Sequence, residues 1–102
     1  MLEITSVTQL NQLFGSKNVV VLDFTATWCG PCKMVAPQFE ALSGKYQSVG
    51  FAKVDVDQNE EIVAHYNISC MPTFIVFVKG QPVHRVEGAN LAEVENKITT
   101  LL

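Results

Sequence analysis

The sequence has little of what membrane or nucleic-acid work requires. No apolar run approaches the roughly 18 residues of a membrane span. Arg85 is the only arginine and the net charge is -3, so no basic stripe exists to hold phosphates and a nucleic-acid partner is not expected. The first ten residues, with Glu3 among them, have no basic start and no apolar core. They therefore do not read as a secretory signal, and the expectation is a soluble, cytoplasmic protein. Cysteine is scarce too. Three is an odd number, which argues against a fully paired secreted framework, and a static staple would not persist in a reducing cytosol.

Hydrophobic residues make up 48% of the 102-residue chain and charged residues 17%. That balance suits one globular domain, residues 1–102, with a core large enough to fold unaided. Its pattern alternates strand and helix. Leu2 to Ile4 is a short apolar start. Ser6 is placed to cap a helix carrying Val7, Leu10, Leu13 and Phe14, which Gly15 to Asn18 should break. Val19 to Phe24 is a continuous β-branched run, as in a strand covered on both faces. A helix follows from about Gly30 to Tyr46, with Pro37 expected to bend it.

Phe51 to Val56 reads as a third strand and Glu60 to Tyr66 as a short helix. Thr73 to Val78 is another doubly buried strand, turned by Lys79 to Pro82 into an edge strand, Val83 to Gly88. A last helix begins near Asn90. The order βαβαβαββα implies an α/β fold in three layers, with parallel pairs made by crossovers and a final antiparallel hairpin.

Two of the three cysteines, Cys29 and Cys32, fall in "TWCGPCK", one helical turn apart and beside the only tryptophan, Trp28. Reactive groups in such sheets collect beyond the carboxyl ends of central strands, where this turn lies. Pro31 suits a first helical turn. Cys29 is then at the positive end of a helix dipole, which stabilises a thiolate open to solvent. Cys32 is on the same side of the helix and within reach of it. A pair so placed can open and close by thiol exchange: Cys29 attacks a disulfide, Cys32 attacks the mixed disulfide, and Gly30 and Pro31 supply closeness and stiffness. Half a zinc site is the rival reading, with Cys70, His65 or His84 to complete it. No second closely spaced ligand pair is present, so no metal is expected.

Asp23 interrupts the apolar central strand six positions before Cys29. It is either a buried acid with a raised pKa, able to exchange a proton, or a strand-end aspartate bound to backbone N–H groups. Lys53 either snorkels or pairs with Asp23, or is solvated on an outward position. Before a proline, the Met71–Pro72 bond is ordinarily trans. Trp28 has a core reading and a surface reading. Cys70 is either a buried small hydrophobe or, if exposed, a thiol open to modification.

The stretches "DFTATWCGPCKMVAP", "KVDVD", "CMPTF" and "VEGAN" resemble the thioredoxin family along essentially the whole chain. The resemblance implies a thioredoxin fold, a central mixed five-stranded sheet flanked by four helices. It also implies a general protein-disulfide reductase with Cys29 as nucleophile and Cys32 as resolving thiol, Asp23 as proton acceptor and Lys53 tuning it. The Met71–Pro72 bond should be cis, with Trp28, Met71, Pro72, Thr73, Gly88 and Ala89 forming the substrate surface. No bound cofactor is implied; electrons arrive indirectly from NADPH through thioredoxin reductase. Ribonucleotide reductase, peroxiredoxins and methionine sulfoxide reductases are the clients it suggests. Cysteine before Met-Pro resembles the eukaryotic cytosolic type and points to regulation through Cys70, in a protein that is mostly monomeric with a Cys70-linked dimer as the exception. Thr25 and Thr27 depart from the family pattern, where many members have an aromatic residue and bacterial ones often glutamate.

Overall fold

A computed structural model describes all 102 residues. Its elements are β1 (Leu2–Glu3), α1 (Val7–Ser16), β2 (Val19–Thr25), α2 (Gly30–Lys45), β3 (Gly50–Asp55), α3 (Glu60–His65), β4 (Thr73–Val78), β5 (Gln81–Glu87) and α4 (Leu91–Leu101). One five-stranded sheet runs in the order β1-β3-β2-β4-β5. β1 and β2 flank β3 in parallel, while β4 runs antiparallel to both β2 and β5. This is the thioredoxin fold that the resemblance implied.

The alternation of side chains across β2 builds two cores. Val19 and Val21 point to one face, where Val35, Phe39 and Leu42 of α2 and Val94 and Ile98 of α4 cover them. Val20, Leu22 and Phe24 point to the other, with Leu10 of α1 and Ile62 of α3. A strand buried on both sides has no polar face, which is why this run is unbroken apart from Asp23. Phe39 is fully buried, its ring 5.4 Å from that of Phe51 and 5.6 Å from that of Phe74. It ties α2 to two strands.

Local chemistry sets the ends. Ser6 Oγ accepts the Gln9 N–H and Asn90 Oδ1 accepts the Glu93 N–H, capping α1 and α4. α1 ends at Ser16, within the Gly15 to Asn18 stretch expected to break it, and takes Gly15 into its last turn. A glycine in a last turn forfeits only its own propensity, about 1 kcal/mol, and packing of Leu10 outweighs it. Pro37 stays inside α2, which runs on to Lys45. The β4–β5 turn is tighter than expected. Lys79 (φ 50) and Gly80 (φ 78) alone make it, the two left-handed residues of a twisted hairpin turn. β5 therefore starts at Gln81 and includes Pro82, tolerated on an edge strand next to a bulge. Arg85 donates to the carbonyls of Tyr66 (2.6 Å) and Asn67 (2.9 Å), joining β5 to the end of α3.

Candidate active site

β2 ends at Thr25, and after four intervening residues the chain enters α2 at Gly30. Cys29 is the cap of that helix: its Sγ accepts the Cys32 N–H at 3.2 Å, and its carbonyl accepts the Lys33 N–H at 3.2 Å. Pro31 occupies the first turn, where its missing N–H costs nothing. Cys29 and Cys32 are joined by a disulfide, their Cα atoms 5.3 Å apart. The helix that brings Cys32 round to Cys29 thus also aims its N–H groups at the sulfur, a preference for negative charge there.

The sequence places the Cys29 sulfur open to solvent, and here the structure corrects it: Cys29 is 6% exposed and Cys32 2%. Both pack with Ala26, and with Val56 and Met71 against them. Gly30 and Pro31 are the exposed part of the turn.

Asp23 is the buried polar group of the site, 1% exposed. It follows Val19 and Val21 on one face of β2, the face that α2 covers with Val35 and Phe39. Cys32 is the first buried residue of α2, so Asp23 lies beneath the cysteine end of that helix. Its Oδ1 has no hydrogen-bond partner, which excludes the reading of a strand-end aspartate bound to backbone. Burial pushes the carboxyl up to about 7, with the positive charge of Lys53 pulling the other way. An orphaned carboxyl is costly when ionised and tolerable when protonated.

Lys53 faces Asp23 directly across the β2–β3 pairing and shares its face with Phe51. No ion pair forms between them. The two-residue alternation puts both on one side of the sheet, but Lys53 is only half-buried. It lines a crevice of about 180 Å³ together with Cys32, Thr25, Ala26 and Asp55. A larger cavity of about 600 Å³ lies elsewhere, between α1 and α3, and no cysteine lines it.

Around the disulfide, the Met71–Pro72 bond is cis, against the ordinary preference and as the resemblance implied. Met71 packs on the cysteines and Pro72 is buried. Thr73 is fully buried as well, and its Oγ1 donates to the Cys70 carbonyl at 2.7 Å, so its side chain shapes the loop and is not presented to a partner. Gly88, at φ 102, donates its N–H to the Pro72 carbonyl at 2.8 Å, bringing Ala89 to the same end of the sheet. Cys70 is an exposed free thiol. Trp28 is 65% exposed, which rules out its core reading.

Sequence reasoning missed Asp57. Its Oδ2 accepts the Trp28 indole N–H at 2.8 Å, and its own N–H donates to Asp55 Oδ1, so the loop after β3 holds the tryptophan. The only signal was the "DVD" at the end of that strand. His65 and His84 do not approach the cysteines: His65 packs edge-on against Tyr66, and His84 bonds Glu93 at 2.8 Å. The structure assembles no cluster of three or more metal-ligating side chains. No helix is long and apolar enough to cross a membrane.

Comparison with known proteins bears on the same geometry. The family model described as thioredoxin matches residues 2–100. Thioredoxin of Ovis aries is 49% identical over 88 residues, 86% of this chain and 84% of that protein. Thioredoxin of Mycoplasma pneumoniae is 48% identical over 86 residues, 84% of each. Identities this close to an animal and to a bacterial relative do not single out the eukaryotic cytosolic type. A solved chain from work on thiol resolution in a yeast mitochondrial 1-Cys peroxiredoxin via glutathione and thioredoxin systems superposes with a TM-score of 0.91. It is 35% identical, covering 98% of this chain and 94% of that one.

Proposed function

This chain belongs to the thioredoxin family and is a dithiol–disulfide oxidoreductase working through Cys29 and Cys32, and on that premise we propose the residue roles, partners and compartment that follow. In the reduced protein, Cys29 is the nucleophile, its thiolate favoured by the N-terminus of α2. It attacks one sulfur of a client disulfide, forming a mixed disulfide and releasing the client's other thiolate. Cys32 then gives its proton to Asp23 and attacks the Cys29 sulfur. The second client thiolate leaves, and the Cys29–Cys32 disulfide of the structure remains. Two electrons pass to the client and no prosthetic group is needed.

The observation that supports Asp23 as the proton acceptor is its orphaned carboxyl on the face beneath Cys32, with a pKa raised to about 7. A base whose pKa matches the working pH transfers protons best. Lys53 tunes it by charge across the strand pair. Trp28, Met71, Gly88 and Ala89 form the docking surface, where an extended client segment pairs with the Met71 backbone; the buried Pro72 and Thr73 shape that loop from below. Residues 1–102 act as one domain, in the cytoplasm, as a monomer. Thioredoxin reductase, drawing on NADPH, restores the dithiol. Clients are disulfide-bearing proteins such as peroxiredoxins, ribonucleotide reductase and methionine sulfoxide reductases. Exposed Cys70 is a second, regulatory thiol of the eukaryotic type.

Trapping tests the order of steps. Cys32→Ser is expected to accumulate a covalent adduct with insulin that a reductant dissolves, and Cys29→Ser none. Asp23→Asn is expected to slow release of the adduct about tenfold or more at pH 7. An adduct in Cys29→Ser, or unchanged release in Asp23→Asn, would contradict the assigned roles.

A further inference from the structure

Away from the chain ends, the two most exposed large hydrophobic side chains are Met34, at 78%, and Trp28, at 65%; the next are Val83 at 42% and Val7 at 38%. Both belong to the redox turn. Trp28 precedes the capping Cys29, and Met34 follows Cys32 by two residues on the opposite, solvated side of α2. A helix face turned to water ordinarily carries charge. This one carries a thioether, and Pro37 and Ala41, three and seven residues on, continue the same uncharged line.

The step between sulfurs and thioether is open. Met34 lies four residues after Gly30, so it sits one turn below it, about 6 Å along the axis. A side chain at Gly30 would meet nothing within 4 Å; that position is bare surface joining Cys29 to Met34. A client segment entering over Gly30 and Pro31 therefore meets Trp28 on one side and Met34 on the other. The two differ in stiffness. The indole is fixed by its bond to Asp57, whereas Met34 has no such tie and three rotatable bonds with which to adapt.

We propose that Met34 is a specificity-determining residue of the exchange reaction, receiving a large apolar side chain that flanks the client's cysteine. This rests on the reading of the chain as a reductase of protein disulfides, and adds to it a contact beyond the sheet-end surface. Met34 touches the client and not the reacting sulfurs, so it changes which disulfides are reduced and leaves the chemistry of the cysteine pair alone.

The test compares second-order rates at which the pre-reduced full chain is oxidised by three disulfides. Two are disulfide-linked peptides identical except that leucines or serines flank the cysteine; the third is hydroxyethyl disulfide, which has no flanking chain. The wild type is expected to prefer the leucine peptide. Met34→Ser is expected to cut that preference about fivefold, Met34→Leu to keep it, and both to react with hydroxyethyl disulfide at the wild-type rate. An unchanged peptide preference in Met34→Ser would overturn the proposal. So would an equal loss with all three disulfides, which would mean that Met34 acts through the cysteine pair. A wild type that none of the three oxidises would instead remove the reductase reading itself, separating that failure from this one.

Discussion

Asparagine at position 23 is expected to make the oxidised protein more stable in alkaline solution, although it replaces a fully buried residue. The cause is linkage. The Asp23 carboxyl titrates near 7 in the folded chain and near 3.8 in a solvated one. Below pH 3.8 both states are protonated and there is no penalty. Between the two values the unfolded chain has lost the proton and the folded chain keeps it, so stability falls by about 1.4 kcal/mol for each pH unit. Above pH 7 the penalty is constant, at about 4 kcal/mol. That is a large part of the 5–15 kcal/mol typical of a whole domain. Asp23→Asn keeps the shape and cannot ionise, so it lacks this slope. From pH 5 to pH 9 it should gain about 3 kcal/mol on the wild type. Every group that the substitution leaves untouched cancels in the difference. Urea unfolding of both proteins without reductant, extrapolated linearly at several pH values, measures it. A difference that stays constant within about 0.5 kcal/mol over that range would refute the argument, because it would mean that Asp23 ionises in the folded protein as freely as in water.

Phe39→Ala removes a fully buried ring that contacts Phe51 and Phe74, and should cost about 3–5 kcal/mol in urea unfolding; a loss under about 1 kcal/mol would mean that α2 does not depend on this contact. Oxidation of the concentrated protein should produce a dimer band on a non-reducing gel, since Cys70 is exposed and free. Cys70→Ser should abolish that band, and its persistence would assign the link to Cys29 or Cys32.

The elements were legible in the residues because their physical signals are local. β-branched runs marked β2 and β4, and Ser6 and Asn90 marked helix starts. The chemistry of the redox turn was legible for the same reason, since Cys29, Gly30, Pro31 and Cys32 are neighbours in the chain. Pro82 misled, because an edge position tolerates a residue that local propensity disfavours.

What the chain order alone determined, then, was the succession of strands and helices and the cysteine pair at the mouth of α2. Tertiary structure decided the rest: that Cys29 is covered and not open, that Asp23 lies without a partner beneath Cys32's helix, that Lys53 stands beside it without touching, and that Asp57 holds Trp28. Each of these depends on residues far apart in sequence, such as Cys29 and Met71, Asp23 and Lys53, or Trp28 and Asp57, or on facing layers. Burial and partnership are properties of that arrangement. A carboxyl's pKa follows from which atoms surround it, and the order of residues along one strand does not specify them.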